Sequence, residues 1–177
     1  MVGDSPYRLP KTITADPRAE PLLSHLAAAS YRLWPGSTLC VPEAELSVVL
    51  LEALRAALRT GRVVRSLEKA QTILTAEAHG QQLADRKSRT VRGVRISRLL
   101  VLTNDGAERF YRQVASLLES HGPRVAAVRL KVTAEILGSA LYGKGGAARL
   151  LMIEHKEAVG AVLLSLADQW IDSIDAS

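Results

Sequence analysis

Six side chains able to do acid–base or phosphate chemistry directly follow three apolar runs: Asn104, Asp105, Thr133, Glu154, His155 and Lys156. The runs are 96–103, 125–132 and 148–153. If they are parallel strands, their carboxyl ends share one edge, the place where ligands bind in open α/β sheets. The set could then serve a general base or a phosphate-binding site, with Asp105 and His155 used to hydrolyse a nucleotide or phosphoester. Each of the six also has a purely structural reading. Asp105 and Thr133 can cap helices, and Glu154, His155 and Lys156 can be the solvated start of one.

A second chemistry is charge. Between positions 86 and 98 there are six basic residues and no acidic one: Arg86, Lys87, Arg89, Arg92, Arg95 and Arg98. Small residues lie between them, a pattern that suits contact with a backbone of phosphates. A solvated loop is the plainer alternative. No aromatic residue lies in this run, which argues against base stacking there. Arg62, Arg65 and Lys69 surround a helix start capped by Ser66. Free N–H groups and the helix dipole favour a phosphate at such a place, and arginine adds charge-assisted forks.

Other chemistries fail on spacing. Gly143-Lys144-Gly145-Gly146 lacks the flanking glycines and the Ser or Thr after Lys that a phosphate loop needs, so it reads as a helix stop and a tight turn. The lone Cys40 excludes an internal disulfide and a Cys-based zinc site, and fits a reducing, intracellular compartment. His25, His79, His121 and His155 are scattered without metal-ligand spacing. No cofactor is implied.

The elements that must position these residues follow from periodicity. With 47% hydrophobic residues in 177, the chain can bury a sizeable core. No apolar stretch approaches the ~20 residues that cross a bilayer, and the start shows no secretory apolar region. Residues 1–40 hold five of the seven prolines and read as an extended arm with one short helix near 22–33. Residues 41–170 read as one α/β domain and 171–177 as a short acidic tail that frays. Val41-Pro42-Glu43 looks like a helix start. Leu46, Val49, Leu50, Ala53, Leu54, Ala57 and Leu58 then repeat with helical spacing up to Gly61. A short strand at 62–65 and a helix from Ser66 to a stop at Gly80 come next, with a basic insertion at 81–94. Asp105, with Glu108 three residues on, reads as a capping box for the helix carrying Phe110, Val114, Leu117 and Leu118. Three runs joined by helices predict parallel strands with right-handed connections. The fold expected is a three-layer α/β/α sandwich around a small, mostly parallel sheet of about four strands.

Residues 46–153 resemble the kink-turn RNA-binding ribosomal proteins, the L-seven-Ae-like family. Three pieces carry the likeness, in order and spacing: 54–64 (LRAALRTGRVV), the apolar strand and Asp turn of 99–105, and 131–140 (KVTAEILGSA). The resemblance implies RNA contacts at Arg65, Ser66, Glu68 and the neighbouring Lys69, and in the loop containing Lys131, Val132 and Thr133. Leu67 and Gln71 depart from the family's polar reader and lysine.

The pI of about 9.7 and net charge of +5 point the same way, towards a polyanion. The function expected is a non-catalytic RNA-binding component of a ribonucleoprotein. The resemblance makes that a ribosomal protein, cytoplasmic or mitochondrial, holding rRNA through phosphates and shape. Its N-terminal arm would touch neighbouring proteins, and no membrane is involved. The alternatives are the strand-edge enzyme described above and a protein–protein assembly factor using the arm and the long helix.

Overall fold

The computed structural model describes residues 5–88 and 94–177. A 3-10 turn, Lys11–Ile13, and helix α1, Ala19–Ala27, precede strands β1 (Tyr31–Arg32) and β2 (Cys40–Val41), an antiparallel ribbon. Strand β3 (Glu43–Ala44) leads into α2 (Val48–Arg59), and β4 (Val63–Val64) into α3 (Leu67–Ser88). Strand β5 (Arg98–Leu102) leads into α4 (Glu108–His121), and β6 (Val125–Leu130) into α5 (Ala134–Tyr142). Strand β7 (Leu150–Ile153) and α6 (Lys156–Asp175) follow.

The main sheet has five strands in the order β3-β6-β5-β7-β4. Its inner strands are buried on both faces, and neighbours along each strand point opposite ways. Leu99, Val101, Ala126, Val128, Leu130, Leu151 and Ile153 join one core cluster with side chains from α1, α2, α5 and α6. Leu100, Leu102, Val125, Ala127, Leu150 and Met152 join the other, with α3 and α4. That alternation makes three layers, an α/β/α sandwich.

The sheet is mixed, which corrects the expectation of parallel pairing. Strand β5 pairs with β6 in parallel but with β7 antiparallel, Leu99 opposite Ile153 and Leu102 opposite Leu150. Strand β4 is also antiparallel to β7. The reason lies between α5 and β7. Helix α5 carries the chain away from the end of β6 for about 13 Å at 1.5 Å per residue. Gly143 stops it at φ 83°, and the chain doubles back along the helix. Ala148 N–H donates to Ala134 O at 2.9 Å, so the chain is again beside the start of α5. Gly138 lets the return strand touch the helix: a Cβ there would lie 2.5 Å from Ala147 Cα. Strand β7 therefore begins at the edge where β6 ended.

Other boundaries also differ from the periodicity reading. Pro42 starts no helix: Arg129 N–H donates to Pro42 O and Lys131 N–H to Ala44 O, so Pro42 leads into the edge strand β3. Proline is tolerated at a sheet edge. Helix α2 starts after Ser47, whose hydroxyl accepts from Leu50 N–H at 3.1 Å. Asp105 does not cap α4, whose N-cap Ala107 makes no side-chain bond. Gly80 does not stop α3; it sits exposed among helix-forming residues, where glycine costs about 1 kcal/mol. Of the fourteen residues of the expected insertion, the first eight, 81–88, are helix. The acidic tail is helical to Asp175.

The expected arm is folded. Leu9, Ile13, Leu22 and Leu26 are buried in the first cluster. Arg18 pairs with Asp16 at 2.9 Å and Asp168 at 3.0 Å, fastening α1 to α6. Trp170 stacks on His25 at 4.1 Å and donates to Glu43 O at 3.1 Å. Loss of Leu22, fully buried, should cost about 2–5 kcal/mol as Leu22→Ala, measured by urea unfolding. A loosely attached arm would give less than about 0.5 kcal/mol.

Glu77 ties α3 to the sheet. It accepts from Arg98 Nη2 at 2.5 Å and Arg124 Nη1 at 2.7 Å, at the starts of β5 and β6. Burial pushes its pKa up, but the hydrogen bonds from Arg124 and Arg98 outweigh this and the net shift is downward. A carboxylate depressed in the folded state adds stability above its unfolded pKa of about 4.3 and loses it as pH falls through the folded value. Glu77→Ala strands two arginines and should cost about 2 kcal/mol or more at pH 7. The gap to wild type in urea unfolding should shrink towards pH 3; a gap that ignores pH would contradict the pairing.

Candidate nucleic-acid interface

The antiparallel return of β7 splits the candidate residues between two edges of the sheet. Strands β3, β4, β5 and β6 end at one edge, where β7 begins. There lie Arg65, Ser66, Glu68, Lys69, Asn104, Asp105, Lys131, Val132 and Thr133. The opposite edge holds Arg62, Glu154, His155 and Lys156, and Arg95 precedes β5 there. Asp105 and His155 are thus at least about 13 Å apart, four strand residues at 3.3 Å each, and form no catalytic pair.

At the first edge Asp105 has a structural task. Its Oδ1 accepts from Ala134 N–H at 3.0 Å and from Thr103 Oγ1 at 2.9 Å, so it closes the start of α5. Thr133 caps the same helix by accepting from Ile136 N–H at 3.2 Å, as its sequence position predicts. Ser66 accepts from Lys69 N–H at 3.3 Å and caps α3. The two RNA segments implied by the family resemblance share this edge, but β5 and β7 separate β4 from β6. Three strand spacings put them about 14 Å apart.

Of the seven candidate cations among the described residues, four are engaged within the protein. Arg62 pairs with Glu157 at 3.4 Å. Arg65 donates to Ala147 O and lies 4.3 Å from the Tyr142 ring centre. Arg95 donates to Leu9 O at 2.8 Å. Lys131 lies 3.4 Å from Glu45 and 3.6 Å from Glu43; the hydrogen bond to Glu45 raises its pKa. Val132 packs against the first cluster. Lys69, Arg86 and Lys87 are exposed and have no carboxylate within 4 Å among the described residues. Glu68 is exposed beside Lys69. Arg89 and Arg92 lie outside the described residues.

Periodicity missed Arg129. It sits inside the apolar run of β6, yet alternation turns it towards α4 rather than into the first cluster. It is 9% exposed. Its Nη2 donates to Asn104 O at 3.0 Å, and its Nε is buried with no partner. Tyr31 and Tyr111 stand 4.3 and 5.2 Å from the guanidinium, ring centre to Cζ. The available signal was a charged residue within a strand buried on both faces, since such charges are rare unless paired.

Among the described residues no helix is long and apolar enough to cross a membrane. None of their His, Cys, Asp and Glu side chains form a group of three or more placed to hold a metal ion.

No protein-family model and no curated protein matches the chain. Among solved structures it is similar to a protein with unknown function from Bacillus halodurans C, at 15% identity and a TM-score of 0.46. The likeness covers 69% of this chain and 99% of that one.

Proposed function

We propose that the protein is a non-catalytic RNA-binding component of a ribonucleoprotein, of ribosomal type as the family resemblance implies, gripping RNA phosphates at the far end of α3. The observation that carries this reading is the contrast in charge pairing. Arg62, Arg95 and Lys131 spend their charge or donors inside the protein, whereas Arg86 and Lys87 are exposed and unneutralised among the described residues. They lie more than two helical turns past Glu77, the residue tying α3 to the starts of β5 and β6. Basic side chains complement the carbonyl end of a helix, so the helix gains from them while their donors stay open to an external anion. Phosphate contacts of this kind position a protein on RNA without reading sequence, in keeping with aromatics at only 4% of the chain.

Binding to a structured RNA, followed by fluorescence anisotropy, should weaken linearly on a plot of log affinity against log salt. Replacing both Arg86 and Lys87 by Glu should reduce the slope by about two, one unit for each lost phosphate contact, with the circular dichroism spectrum unchanged. A flat salt dependence, or a double variant that binds like wild type, would remove the proposal.

A further inference from the structure

The buried guanidinium of Arg129 lacks a counter-charge: no carboxylate lies within 4 Å of it among the described residues. Removing an arginine from water without an ionic partner is costly. The Asn104 carbonyl and the Tyr31 and Tyr111 rings offset only part of that cost, since a cation–π contact is weaker than a charge pair. Among the described residues only one of its three nitrogens has a hydrogen-bond acceptor.

Beside Arg129 lies an open cavity of about 520 Å³, within the range of small-molecule sites. Arg129, Arg32, Tyr31, Trp34 and Tyr111 form much of its wall, with Glu108 at the start of α4. Helix α4 has 14 residues and no side-chain cap, and its first residue, Glu108, lines the cavity, so the positive end of the helix dipole lies beside it. Glu108, the one carboxylate in the wall, is partnered by Arg112 at 3.4 Å. The cavity also sits at the switch point of the sheet. From the ends of the parallel strands β5 and β6 the chain leaves for α4 on one face and α5 on the other, and ligands of open α/β sheets bind at such places.

We propose that this cavity binds a small anion carried on a planar ring, of the nucleoside 5′-monophosphate class. The anionic group supplies the charge that Arg129 lacks and meets the uncapped start of α4. The ring lies against the aromatic wall of Tyr31 and Trp34. The site is separate from the RNA contacts at the end of α3, which lies beyond the opposite edge of the sheet, and does not depend on them.

Isothermal titration calorimetry with the four ribonucleoside monophosphates, without RNA, tests it. At least one should bind with a dissociation constant below about 1 mM, while its nucleoside and inorganic phosphate each bind about tenfold weaker or worse. Arg129→Met should weaken binding by about tenfold or more. Its melting temperature should not fall, because an apolar side chain of similar volume replaces an unpaired buried charge. Tyr31→Ala, at a half-exposed ribbon position, should weaken the mononucleotide and leave inorganic phosphate unchanged. Saturating mononucleotide should not displace a bound structured RNA. No binding by any of the four, or wild-type affinity in Arg129→Met, overturns the proposal. Displacement of the RNA also overturns it, because the cavity would then be part of the RNA site.

Discussion

The segment that doubles back along α5 decides the layout of the molecule. Had the chain continued past the end of α5 to the far edge of the sheet, β7 would have entered parallel to β5. Instead Gly143 ends the helix, the backbone of Ala147 lies against Gly138, and Ala148 bonds back to Ala134. The chain re-enters the sheet from the edge it had just left. Everything after residue 150 is placed by that reversal: Glu154, His155 and Lys156 go to one edge, while Asp105 and Thr133 stay at the other. A constellation that looks catalytic along the sequence is thereby dispersed, and the expected small, mostly parallel sheet of about four strands becomes a mixed sheet of five.

The second constraint is charge. A chain of net charge +5 reads as basic throughout, yet many of its arginines hold the fold together. Glu77 joins Arg98 and Arg124 across intervals of 21 and 47 residues. Arg18 bridges Asp16 and Asp168. Surface pairs such as Arg62–Glu157 add little stability, but they still reduce the charge offered to a partner. Of the candidate RNA contacts described, Lys69 at the start of α3 and Arg86 and Lys87 in its last turn stay exposed without a carboxylate within 4 Å. What remains for a small anion is Arg129, shielded between two tyrosines.

The legible parts of this structure are local. The spacing of Leu50, Leu54 and Ala57 gave α2 its buried face, Ser66 and Thr133 cap the helices they precede, and Gly143 stops α5. The continuous apolar runs are strands buried on both sides, and the α/β/α layering follows from them. What could not be read depends on distant partners. Strand direction depends on where the return segment finds a surface to lie on. Asp105 fits a capping box three residues before Glu108, but the backbone N–H it reaches belongs to Ala134, 29 positions away. Pro42 satisfied a helix-start rule and lost to pairing with β6. Gly80 marked a stop that the surrounding Ala, Glu and Gln residues outweigh. The prolines of residues 1–40 suggested an arm, while the spacing of Leu22 and Leu26 along α1 was the better guide to its burial.

The direction of β7 is open to direct measurement in solution. Amide-to-amide nuclear Overhauser contacts across the β5–β7 pair, recorded on deuterated protein, distinguish the two arrangements. Contacts placing Leu99 beside Ile153 and Leu102 beside Leu150 are the expected result. Contacts placing Leu99 beside Leu150 and Leu102 beside Ile153 would mean a parallel β7. They would return His155 to the edge of Asp105 and contradict the separation of the two edges.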